Sequence, residues 1–136
     1  MAASMYIVVE GEDPGFDIYV NGRALARQEA AIERLAHTLK VRPLLDFFSA
    51  DQNSMALLIQ EGAGNPDLLH CLLPPQWFDP RDGLATIREL IAALRMEPRR
   101  VGNEAAALLG ELMEYEEVLR KVAERGLKWH LAFSWR

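Results

Sequence analysis

The chain reads as an α+β (or α/β) fold: a small sheet, made of an N-terminal hairpin and a C-terminal strand, packed on one face by two or three helices. Three observations predict it. The segments MYIVVE (5–10) and FDIYV (16–20) are β-branched, aromatic or alternating, as strands are. Two long stretches, about 80–96 and 104–125, repeat apolar residues at helical spacing. The residues after Gly126 alternate apolar and polar side chains.

In chain order, Gly11 to Gly15 is dense in turn residues and would join the first two strands as a hairpin, and Asn21-Gly22 supplies a further turn. From Ala24 to Leu39 the pattern becomes helical, with Leu25, Ile32, Leu35, Ala36 and Leu39 on one face. Pro43 biases Arg42 out of helix and can start a short turn through Phe47. Asp51 to Ser54 offers caps for a short helix over Met55, Leu58 and Ile59, ended at Gly62. The stretch from Gly62 to Pro75 reads as an ordered surface loop pinned by Leu68 to Leu73.

Asp79-Pro80 is a helix start, because Asp79 can cap and proline suits the first helical position. Leu84, Ile87, Leu90, Ile91 and Leu94 form the apolar stripe of that helix. Asn103 is the expected cap of the next helix, whose seam is Leu108, Leu112, Tyr115, Leu119 and Val122. Glu116 with Arg120, and Glu117 with Lys121, are expected ion pairs along it. Gly126 should end it, with Leu127 folding back on Val122. In the final strand Leu127, Trp129, Leu131, Phe133 and Trp135 face one way, and Lys128, His130 and Ser134 the other. Pairing with the N-terminal strands would tie both ends into one sheet.

Composition bounds the function classes. Half of the 136 residues are apolar and 26% are charged, which suits one core, so a single domain over 1–136 is expected. The net charge of −5 disfavours nucleic acid and anionic membrane, since both need a cationic face. The cluster Arg95, Arg99, Arg100 is interrupted by Glu97 and has no interleaved aromatics. The apolar stretch Met5 to Val9 is too short for a signal peptide, and no window is long enough for a membrane span. Met5 offers an alternative start. A lone cysteine, Cys71, makes no internal disulfide, and the expected location is the cytoplasm.

Each candidate site residue has a structural explanation beside the functional one. His130 is a candidate general base, with Tyr19 and a carboxylate such as Asp17 or Glu10 as partners. The plainer explanation is an exposed strand histidine. His70-Cys71 is the only adjacent pair of metal-type ligands, and His37 and His130 are far from it in sequence, so no metal site is expected. Cys71 lies in a leucine run and suits packing. Glu10, Glu12, Asp13 and Asp17 surround the first turn without a calcium-loop pattern, and Gly62-x-Gly64 does not extend to a phosphate loop. Trp77, Trp129 and Trp135 are candidate binding aromatics, with core packing as the alternative.

Of the two segments WFDPRDGLATIRELIAAL and EYEEVLRKVAERGLKWHLAFSW, within Gln76 to Trp135, the second resembles the ending of the YfbM-like family of small bacterial proteins without an assigned activity. The shared pattern is a long helix with an acidic-aromatic segment (Glu114 to Glu117), a glycine turn and an apolar terminal strand. The likeness implies an α/β fold and supplies no catalytic residues.

The leading functional expectation is a non-enzymatic bacterial interaction protein, a regulatory or immunity-type inhibitor with a protein partner and no cofactor. The alternative is a small enzyme whose site is assembled from scattered polar residues on the sheet. A third expectation is a homodimer formed through an exposed edge of the terminal strand.

Overall fold

The computed structural model describes residues 4–11, 15–49 and 76–134. Its element order is β1 (Ser4–Val9), α1 (Arg23–Arg27), α2 (Glu29–Leu39), a 3-10 turn (Leu44–Phe47), α3 (Pro80–Met96), a second 3-10 segment (Pro98–Glu104), α4 (Ala105–Glu124) and β2 (Trp129–Ser134). This is a small α+β fold. The expected helix after Asp51, the leucine-rich loop and His70-Cys71 lie outside the described residues.

β1 and β2 pair antiparallel from Ser4↔Ser134 to Val9↔Trp129, so the two ends of the chain share one sheet as expected. Met5, Ile7 and Val9 alternate into the core, as do Trp129 and Leu131. On the outer edge of β2, Phe78 exchanges both backbone hydrogen bonds with Trp129, and the Ser49 N–H donates to the Leu131 carbonyl. Those two single-residue bridges lie along the edge of β2 away from β1, at Trp129 and Leu131.

The hairpin is a correction. Residues 17–20 form no strand, although their burial alternates: Asp17 and Tyr19 are exposed, Ile18 is half-buried and Val20 is buried. The Tyr19 N–H, which a ladder would use, donates instead to Asp17 Oδ1 at 2.9 Å. Just past the segment, the Gly22 carbonyl accepts from the Met5 N–H of β1. The helix expected over 24–39 is also two helices, broken at Gln28.

α3 begins as expected. Asp79 accepts from the Arg81 N–H, and Pro80 occupies the first position. The 3-10 segment with Gly102 at φ 63° leads directly into α4, so Asn103 does not cap it; the N-cap position is Glu104, whose side chain makes no capping bond. Gly126, at φ 66°, ends α4: its N–H donates to Ala123 and the Leu127 N–H to Val122, the paired bonds of a left-handed helix ending. Along α4, Glu116 turns to Arg88 of α3 at 3.4 Å, whereas Arg120 pairs with Glu117 and Glu124.

α3 and α4 pack against each other, with α1 against β1; Gly83 of α3 lies against Trp129 of the sheet, and Tyr115 of α4 bonds to Met5. Trp129 is the centre of this core. Its ring stacks on Phe47 with centroids 5.1 Å apart, and its indole N–H donates to the Asp79 carbonyl. No described helix is long and apolar enough to cross a membrane.

Candidate functional site

The residues proposed for catalysis fall into different environments. His130 is only 1% exposed, which corrects the expectation of a solvent-facing strand histidine. The second face of the sheet is covered there: the Trp77 ring lies 4.6 Å from the His130 ring, and the neighbouring Ala132 is fully buried. Tyr19, by contrast, is 76% exposed, and Asp17 serves the local turn described above. Glu10 is exposed just past β1, with its N–H bonded to the Lys128 carbonyl. A buried imidazole and an open phenol do not share one solvent-accessible pocket.

Among the tryptophans, Trp129 is core, Trp77 is half-buried against His130, and Trp135 lies outside the described residues. No group of three or more His, Cys, Asp or Glu side chains among the described residues is arranged to hold a metal ion.

The buried polar chemistry is concentrated where α4 meets the start of α1. Glu111 is buried, and its two carboxylate oxygens accept from the Ala24 and Leu25 N–H groups, each at 2.9 Å. A side chain from a distant helix thus supplies the cap that Gly22, at the N-cap position of α1, cannot. One turn on, the Tyr115 hydroxyl donates to the Met5 carbonyl at 2.6 Å, and Glu114 accepts from the Asn21 N–H. Burial pushes the Tyr115 phenol far above its ordinary range, and the Glu111 and Glu114 charges add to this. Burial likewise raises Glu111, against the pull of its two backbone bonds.

This clamp gives a first testable result. Glu111→Ala should lower the unfolding free energy by about 2–4 kcal/mol, because two buried N–H groups lose their acceptor. The pH dependence has a definite sign. A carboxyl group with a raised folded pKa contributes most below its unfolded value and loses that contribution as pH rises through the folded one. The advantage of the wild type over Glu111→Ala, measured by urea unfolding, should therefore shrink as the pH rises above the ordinary carboxyl value of 4.5. A constant or growing advantage would contradict the raised pKa.

The surface carries a different signal. On the outer side of the α3–α4 pair, Met96 is 84% and Met113 48% exposed. Arg95, the chain neighbour of Met96, reaches the Met113 sulfur with its Nη2 at 3.7 Å. Exposed Ala92, Ala106 and Gly110, with half-buried Leu109, continue the strip. Gly110 sits inside α4, where glycine costs about 1 kcal/mol relative to alanine. A Cβ there would meet nothing within 4 Å, so no internal packing explains the residue. Sequence reading passed over this strip, although the helical wheel contains it: opposite the seam Leu108, Leu112 and Tyr115 come Ala106, Gly110 and Met113.

A cleft of about 370 Å³ lies where the start of α3 meets the α4–β2 turn, lined by Asp79, Arg81, Leu127 and Lys128 among others. Its chemistry is already engaged. The Arg81 guanidinium holds Asp79 below the usual carboxylate range, and Asp79 itself takes the first free N–H of α3.

Comparison with known proteins finds no matching family model, and no significant match among curated proteins or solved structures.

Proposed function

We propose that this chain is a non-enzymatic protein-binding module, a regulatory or immunity-type inhibitor, and that it docks its partner on the Met96–Arg95–Met113 surface of α3 and α4. The observation that carries the reading is the exposure of the two methionines around one arginine. Methionine and arginine are enriched in interface centres, where lysine, glutamate and aspartate are depleted. Methionine also adapts its shape to a partner better than branched side chains do. Water does not favour such residues held out from a helix pair, and a contiguous apolar strip marks an interaction site. Folding does not depend on their side chains, because the core seam lies on the opposite side of both helices.

The test uses immobilised wild type and Met113→Glu with lysate of the native host, compared by quantitative mass spectrometry. At least one protein should be retained roughly tenfold better by the wild type, with the melting temperature of the variant unchanged, since a buried-interface charge costs at least a tenfold factor. Identical retention by both would reject the surface as a docking site.

A further inference from the structure

We infer that the occupant of this surface is an amphipathic helix of a partner protein that brings a carboxylate to Arg95; the inference rests on the docking reading above and adds the chemistry of the partner. Arg95 supplies the charge argument. The other arginines along the two helices have carboxylates: Arg81 pairs with Asp79, Arg88 with Glu116, and Arg120 with Glu117 and Glu124. Among the described residues Arg95 has no carboxylate within ion-pair distance, and the acceptor of its hydrogen bond is a thioether, which is a weak one. A guanidinium resting on exposed Met113, with exposed Met96 next to it in the chain, is a charge-complementary seat for one acidic side chain flanked by apolar ones.

The shape argues for a helix. Two helices side by side leave a shallow valley into which a third can lay an apolar face, read as anchors at successive turns. Gly110 keeps the α4 backbone bare at the place where such a helix would cross, one turn from Ala106 and from Met113. Missing side-chain bulk there permits a closer approach of the two axes.

The probes are two synthetic helical peptides about five turns long with the same leucine-alanine stripe, one with glutamate and one with lysine at its centre. Binding is read from the methyl resonances of Met96 and Met113 in protein labelled at methionine methyls. The glutamate peptide should move both signals, and the lysine peptide should bind about tenfold more weakly or less. Arg95→Glu should reverse that preference. Gly110→Leu should weaken the glutamate peptide while raising the melting temperature slightly, because its side chain points into open space and a mid-helix glycine is removed. Equal binding of the two peptides, or no movement of either methyl, would overturn the acidic-helix assignment; loss of host partners on Met113→Glu would still stand as support for docking. A dimer seen by light scattering and abolished by Met113→Glu would put a second copy of the chain on the surface, and would also overturn a foreign helix.

Discussion

Gly22→Ala should cost about 4 kcal/mol or more and lower the melting temperature by roughly 10 °C, one of the largest effects of any single methyl in this protein. The backbone of Gly22 is ordinary, with φ −109° and ψ 23°, so the penalty is one of space and not of conformation. An added Cβ would lie inside contact distance of the Met5 carbonyl oxygen and of the Tyr115 hydroxyl. Neither can step aside. The Met5 carbonyl belongs to a strand held by the β2 ladder, and the hydroxyl is bonded to that same oxygen at 2.6 Å. The expected loss is a large share of the margin of a marginally stable domain, which is about 5–15 kcal/mol. A melting temperature within about 2 °C of wild type would show that the seam between β1 and α1 has slack.

Gly83→Ala is the second large effect, and it has a built-in control. Alanine would improve the helix propensity of α3 by about 1 kcal/mol. Its Cβ, however, would press into the indole of Trp129, 2.9 Å from Cε2 and closer still to Cζ2, with Leu119 Cδ1 at 3.1 Å on the other side. Overpacking of this kind costs about 3 kcal/mol. Trp129→Phe removes the second ring and with it the overlap, at its own cost in buried volume and in the bond from the indole N–H to Asp79. In the Trp129→Phe background Gly83→Ala should be nearly neutral, a coupling of about 2 kcal/mol or more in a four-protein urea-unfolding cycle. An equal cost in both backgrounds would mean that the ring is not what excludes the methyl group.

Both glycines show where reading residues one at a time reaches its limit. Gly22 was legible as part of a turn and Gly83 drew no reading at all, because local pattern reports what a residue permits in its own backbone. What each position excludes is set by Met5 and Trp129, which are distant in sequence and arrive only with the fold. The elements with strong local signals were readable for the same reason. Asp79-Pro80 and Gly126 carry their own capping chemistry, and β2 carries its alternation. The segment 16–20 misled because alternation reports which side chains are buried, not which backbone is available to pair; at Met5 the edge of β1 away from β2 is met by the Gly22 carbonyl and the Tyr115 hydroxyl instead. His130 misled in the same way, since a polar side chain on the outward face of a strand says nothing of the Trp77 that covers it. Of the candidate surface, Gly110 and Met113 could be placed opposite the α4 seam by helical geometry. Arg95 and Met96 stand at the close of α3, where the neighbouring turn decides exposure, and only the assembled pair of helices brings Arg95 onto Met113.

The register that joins Val9 to Trp129 also governs the order of assembly. The sheet is a contact of very long sequence separation, and its loop-closure entropy must be met before any ladder bond repays it. The α3–α4 hairpin, built from neighbours in the chain, can collapse on local contacts alone. The first strand to be synthesised is therefore among the last to find its place, and until β2 arrives its valine- and isoleucine-rich backbone is a template open to the wrong partner. In a cell, protection of that waiting segment, more than the strength of the finished core, would decide how much of the protein reaches its native state.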